Sequence, residues 1–203
     1  MKLICLDLEG VLIPEIWIAF AEATGICELR RTTREEPDYD RLMGYRVEIL
    51  AKNGLRLADI QRVISSMEPL HGAKEFARMV RERTQLVILS DTFDQFARPL
   101  MEKLSWPTLF CNTLTVDADG MITGHRMRQD DGKRRAVQAF KSMGLSVFAA
   151  GDSFNDLSMI READASCLFR APDLIRSDNP GVPCADTYGE LLARIDAFLA
   201  GGQ

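Results

Sequence analysis

Three short apolar runs, each ending in a polar cluster, do most to restrict how this chain can fold. Lys2–Leu6 runs into Asp7 and is followed by Gly10 and Pro14. Gln85–Leu89 runs into Ser90-Asp91-Thr92, and Leu145–Ala150 runs into Gly151-Asp152-Ser153. Apolar runs of this length, bounded by turn residues, suit strands buried on both faces of a parallel sheet. Segments with helical periodicity lie between them. In Lys133–Met143 the residues Ala136, Val137, Phe140 and Met143 make one apolar stripe, and Gly144 is placed to cap it. Thr187–Leu199 carries a second stripe of Leu191, Leu192, Ile195, Phe198 and Leu199, and Gly72–Arg83 and Phe93–Leu104 read the same way. Strand alternating with helix predicts an α/β fold: a Rossmann-like parallel sheet flanked by helices, with right-handed crossovers. Within Leu114–Met127 the turn Asp117-Ala118-Asp119-Gly120 separates two short candidate strands, which predicts a small hairpin.

One stretch breaks the alternation. From Ile16 to Met67 the pattern is helical, without a convincing strand, and more charged, with Arg30, Arg31, Arg34, Glu35 and Glu36 close together. This predicts a small helical cap, residues 15–69, inserted after the first strand of a core made of residues 1–14 and 70–203. Gly201-Gly202-Gln203 reads as a frayed tail. A chain of 203 residues with 46% hydrophobic and 27% charged residues suits one globular domain with such an insertion. Its net charge of −5 argues against a nucleic-acid partner, and an acidic protein that handles an anion must gather positive charge locally. The five cysteines, Cys5, Cys27, Cys111, Cys167 and Cys184, are scattered and odd in number, which reads as buried free thiols in a reducing compartment. The N-terminus turns acidic too soon for a signal peptide, and no apolar run approaches the roughly 20 residues that cross a bilayer. A cytoplasmic protein with no membrane partner is expected, and a homodimer is allowed.

In open parallel sheets, ligands gather outside the carboxyl ends of the strands. That edge would collect Asp7 and Glu9, then Ser90 and Asp91, then Asp152, Asn155 and Asp156, with Lys133 opening a nearby helix. Carboxylates crowded in this way repel unless a cation sits among them, and hard oxygen ligands suit Mg²⁺. The hydroxyl and the ammonium suit phosphate oxygens. Taken singly, each group has an ordinary reading: an aspartate after a strand caps a turn, and a lysine on a helix is solvated. Their convergence on one edge, in the order acid, hydroxyl, lysine, acid pair, outweighs those readings.

That order resembles the four motifs of the haloacid dehalogenase superfamily. Asp7-Leu8-Glu9-Gly10-Val11 is similar to its first motif, Ser90 to the second, Lys133 to the third, and Gly151-Asp152-Ser153-Phe154-Asn155-Asp156 to the fourth. The resemblance implies a nucleophile at Asp7, an acid–base group at Glu9, and Mg²⁺ held by Asp7, Asp152 and the Glu9 backbone carbonyl, with Asp156 in support. It also implies phosphate binding at Ser90, Asp91 and Lys133. A narrower resemblance is to phosphoserine phosphatases, and within them to the bacterial phosphoserine:homoserine phosphotransferase family, which has Glu at the second acidic position as Glu9 is here. Glu15, and Arg46 within Gly44–Leu50, resemble the residues with which the cap of that family reads a substrate's amine and carboxylate, and Asn155 is expected to touch substrate too. The spacing to Glu15 is about one residue short of that family's pattern. The implied substrates are phosphoserine and homoserine. Two other readings stay open: a phosphatase for a different small phosphomonoester, and a phospho-acceptor switch, against which the helical insertion, Glu9 and the fourth motif speak.

Overall fold

The computed structural model describes residues 1–33, 35–36 and 38–201; Arg34 of the charged cluster and Gly202-Gln203 of the expected tail lie outside the described residues. In chain order the elements are β1 Lys2–Leu6, α1 Ile16–Thr24, a short 3₁₀ turn Cys27–Arg30, α2 Tyr39–Lys52, α3 Leu57–Ser66 and α4 Ala73–Arg83, then β2 Gln85–Phe93, α5 Asp94–Lys103, β3 Thr108–Val116 and β4 Ile122–Arg126. The chain continues through α6 Gly132–Ser142, β5 Ser146–Gly151, a 3₁₀ turn Phe154–Asp156, α7 Leu157–Glu162, β6 Ala165–Phe169, α8 Asp173–Asp178, β7 Cys184–Ala185 and α9 Tyr188–Ala200. Among the described residues no helix is long and apolar enough to cross a membrane.

The seven strands form one sheet in the order β4-β3-β2-β1-β5-β6-β7. Every pairing is parallel except that of β3 with β4. β1 therefore lies at the centre, paired to β2 through Leu3–Leu6 and to β5 through Lys2–Leu6. Alternation along it feeds two cores: Ile4 and Leu6 pack on one face with Phe76, Phe148 and Phe169, and Leu3 and Cys5 on the other with Val137 and Val147. The strand order reverses across β1, so a crevice opens beyond the carboxyl ends of β1, β2 and β5.

The three apolar runs are strands, as expected. The second continues past Leu89 to Phe93, with a register irregularity between those two residues. The hairpin is present, but its first strand begins at Thr108 and pairs with β2 before it turns, so the hairpin is an extension of the main sheet. Between α1 and α3 the described residues form helices and no strand. The expectation of five buried thiols needs correction. Cys5 and Cys167 are buried, Cys111 and Cys184 half-buried, and Cys27 exposed, because it sits at the start of a surface 3₁₀ turn.

Candidate active site

Each polar cluster lands where its strand delivers it. Asp7 follows β1, Ser90 and Asp91 lie near the end of β2, and Asp152 follows β5. Lys133, in the first turn of α6, is 4% exposed and bridges two acids, with its Nζ at 2.9 Å from Asp7 Oδ1 and 2.7 Å from Asp156 Oδ1. A third, Asp91 Oδ2, stands at 3.7 Å. Burial alone would lower the Lys133 ammonium, but Asp156, Asp7 and Asp91 outweigh it and hold it well above its ordinary value, charged at any physiological pH.

Asp156 is fully buried and organises the loop after β5. Its Oδ2 accepts from the N–H groups of Asp152 and Ser153 and from the Ser153 hydroxyl, each at 3.0 Å. This closeness requires glycine at 151: a Cβ there would run into the Asp156 carboxyl. Gly10, at φ +76°, does the same for the first loop, since a Cβ on it would run into the Asp152 carboxylate. Burial, then Asp156, then the opposing attraction of Lys133, then Asp152 leave the Asp7 carboxyl well above its ordinary value. Burial first, then Asp156 and Glu15, push Asp152 to about 7. Carboxylate oxygens of Asp7, Asp152 and Asp156 lie within 4.8 Å of one another. This set is all hard oxygen and carries more negative charge than one lysine offsets, which fits Mg²⁺. Both oxygens of Asp156 are already used, by Lys133 and by the loop, so Asp7 and Asp152 are the better donors to an ion.

Glu9 and Arg46 both line a cavity of about 170 Å³ over Asp7. Glu9 Oε2 accepts the Ile16 N–H at 2.8 Å, at the start of α1. Burial, then the charge of Glu15, push the Glu9 carboxyl up to about 8 against the pull of that N–H, Arg46 and Lys133. Arg46 is not the solvated helix residue that its spacing alone suggests. It is 5% exposed, with its guanidinium 4.5 Å above the Trp17 ring and Nη2 donating to the Arg31 carbonyl at 2.9 Å. Its Nε has no hydrogen-bond partner among the described residues. Glu15 lines the same cavity. Asn155 is exposed at the rim, where its Nδ2 donates to Asp91 Oδ2 at 2.7 Å. Ser90 Oγ accepts the Thr92 N–H at 3.2 Å. A larger groove of about 700 Å³, beside α4 and α5, holds none of these groups and is lined by paired surface charges.

Trp17, Tyr39 and Thr92 are among the lining residues that escape sequence reasoning. Trp17 sits in an apolar stripe and reads as core. Tyr39, whose hydroxyl donates to the Asp91 carbonyl at 3.0 Å, carries no signal in sequence. Thr92 is hidden by its neighbours Ser90 and Asp91.

A buried carboxylate at the end of a central strand, a charged lysine beside it and an acidic pair in the loop after the adjoining strand make the arrangement expected of a phosphoryl-transfer site of the haloacid dehalogenase type. The model of the haloacid dehalogenase-like hydrolase family matches residues 1–164, and the chain belongs to that family. The chain is 54% identical over 191 residues to the phosphoserine phosphatase of Pseudomonas syringae pv. tomato, a match that covers 94% of this chain and 81% of that one. It is 53% identical over 191 residues to the phosphoserine phosphatase ThrH of Pseudomonas aeruginosa, covering 94% and 93%. A crystal structure of phosphoserine phosphatase in apo form superposes with a TM-score of 0.77 at 23% identity, over 95% of this chain and 98% of that one, a likeness of fold.

Proposed function

We propose that this enzyme is a magnesium-dependent phosphoserine phosphatase that works through a phosphorylated Asp7 and also passes the phosphoryl group from phosphoserine to homoserine. Residues 15–69 act as a helical cap over the core of residues 1–14 and 70–203. The observation that carries this reading is Arg46. It is a buried guanidinium in the same cavity as Asp7, and among the described residues no carboxylate forms an ion pair with it. Glu9 and Glu15 attract it only from beyond ion-pair distance, and a dry cation with no carboxylate in direct contact suits a substrate that brings its own. Glu15, in the same cavity, suits the amine of the same molecule. The relatives named above support the same substrate.

Asp7, Asp152 and the Glu9 backbone carbonyl, with Asp156 in support, would hold magnesium, which would offset the repulsion between an anionic nucleophile and an anionic phosphate. The Asp7 carboxylate attacks phosphorus in line, the serine oxygen leaves with the bonding electrons, and Glu9 supplies its proton. Lys133, Ser90 and backbone N–H groups near Asp91 hold the phosphoryl oxygens as charge spreads over them. Glu9 then takes a proton from the attacking water or homoserine hydroxyl, whose oxygen bonds to phosphorus while the acyl-phosphate bond breaks and frees Asp7.

The test incubates the protein with Mg²⁺ and phosphoserine, with and without homoserine, and follows free phosphate and phosphohomoserine together. Phosphate should appear continuously, part of it should be diverted to phosphohomoserine, and Asp7→Asn should abolish both. Arg46→Ala should raise KM for phosphoserine about ten- to a hundredfold more than for an aryl phosphate, the range set by one charge-assisted hydrogen bond. Glu9→Asp should shift the partition toward phosphate, because one methylene changes which attacking oxygen the carboxyl can reach. Equal losses on both substrates for Arg46→Ala would remove the basis for phosphoserine and favour another small phosphomonoester.

A further inference from the structure

Among the described residues two buried side-chain atoms lack a hydrogen-bond partner, Arg46 Nε and Thr92 Oγ1. Both side chains line the cavity over Asp7. Thr92 is 4% exposed, and a hydroxyl buried without a partner destabilises the protein that carries it. Valine would fill the same volume without that penalty. The hydroxyl is therefore uncommitted within the protein and free to meet a polar group that enters the cavity. Its neighbours narrow which group. The Thr92 N–H already donates to Ser90 Oγ, so Thr92 stands next to the phosphoryl-binding hydroxyl. The first motif and the rim of the cavity supply acids, Glu9 and Glu15, which suit an ammonium. The two groups left unused are an N–H and an O–H, both able to donate. A carboxylate has two oxygens and takes two donors.

We propose that the Thr92 hydroxyl donates to the carboxylate of the bound amino-acid phosphate, alongside Arg46, and so helps select phosphorylated amino acids over phosphomonoesters that lack a carboxylate. The proposal rests on the reading of Arg46 given above and extends it to a second donor on the core side of the cavity.

The experiment compares Thr92→Val, which keeps the shape and drops the hydroxyl, with Thr92→Ser, which keeps the hydroxyl. Substrates are phosphoserine and phosphoethanolamine, its decarboxylated analogue, each with Mg²⁺. In Thr92→Val, KM for phosphoserine should rise about ten- to a hundredfold, the range for one hydrogen bond to a charged group, with kcat moving less. The loss in kcat/KM on phosphoethanolamine should be much smaller, and Thr92→Ser should restore most of the phosphoserine KM. The thermal midpoint of ligand-free Thr92→Val should rise by about 2–6 °C, because an unpaired hydroxyl has gone. A structural hydrogen bond would give the opposite sign. An unchanged KM in folded Thr92→Val overturns the proposal, and so does an equal loss on both substrates. A lowered midpoint together with failure of Thr92→Ser to restore KM assigns Thr92 to the fold and also overturns it. Should Thr92→Val not fold, Thr92→Ala carries the same contrast. A wild-type enzyme that releases no phosphate from phosphoserine overturns the underlying reading, and the proposal with it, before any variant is compared.

Discussion

A methyl group at position 151 would meet the Asp156 carboxyl, which holds Lys133 Nζ at 2.7 Å and three donors of the following loop. Gly151→Ala must therefore push Asp156 aside, and Lys133 and Asp152 move with it. Overpacking of this kind costs about 1–3 kcal/mol, so the thermal midpoint should fall by roughly 2–10 °C. Displacing these groups of the candidate site by about 1 Å should also lower turnover on the order of a hundredfold. Calorimetry and steady-state phosphate release check both; a folded Gly151→Ala enzyme of full activity would show that Asp156 does not set the position of Lys133. At this scale the sequence is legible wherever chemistry demands a residue type at a strand end. Asp7, Ser90, Lys133 and Asp152 stand in one crevice for that reason. Arg46 is legible only by resemblance, since its helical spacing gives no sign that α2 lays it over Trp17. Thr92 and Tyr39 are silent because their roles depend on which partners are absent or distant in sequence.

The elements show where pattern fails. β1, β2 and β5 are covered on both faces and so read as unbroken apolar runs. β6, Ala165–Phe169, belongs to the same parallel sheet but opens with Ala165-Ser166-Cys167, and β7 has two residues, too few for any period. α7 and α8 span six residues each, less than two turns, so no stripe can form. Besides its backbone pairing with β5 and β7, the start of β6 is anchored by one side chain. Asp164 Oδ2 accepts the Val147 N–H at 2.8 Å, its Oδ1 pairs with Lys141 Nζ at 2.9 Å, and its own N–H donates to the Val147 carbonyl at 2.9 Å. Slight burial tends to raise the Asp164 carboxyl, but the Val147 N–H and Lys141 outweigh it and hold it below the ordinary 3.8. A depressed carboxylate contributes stability above its unfolded pKa and loses it as pH falls through its folded one. Asp164→Ala should therefore lower the midpoint at neutral pH by about 2–4 °C, the ion pair adding little at a surface site. The gap from wild type should close as pH drops below about 4. A gap that persists at low pH would mean that the carboxylate is not what joins β5 to β6.

Over the whole molecule, the helices between β1 and α4 are fastened at separate points to the sheet, to the turn between β3 and β4, and to α5. Tyr39 Oη donates to the Asp91 carbonyl at 3.0 Å, His125 Nε2 meets Asp40 Oδ1 at 2.9 Å, the Leu57 N–H donates to the Gly120 carbonyl at 2.9 Å, and Gln61 Nε2 donates to the Gln95 carbonyl at 2.9 Å. Such fastenings are individually worth about 0.5–1.5 kcal/mol, small enough to break and remake during turnover. Tyr39→Phe removes the one nearest the phosphoryl site. KM for phosphoserine should rise about two- to tenfold. Hydrogen exchange should quicken within Tyr39–Lys52 while the central strands keep their protection. Exchange that quickens evenly across cap and sheet would show that the two open together, and the division at residues 15–69 would fall.

The margins of the sheet carry one more consequence. On one side it stops at Cys184–Ala185, a strand too short to template another and preceded by Pro183, which has no N–H to offer. On the other it stops at β4, where α2 docks through Asp40 on His125. Bare strand margins are where separate polypeptides zip together into aggregates. The helix that carries Arg46 thus doubles as a guard, and a shortened chain without residues 15–69 should precipitate through β4 at concentrations the intact enzyme tolerates.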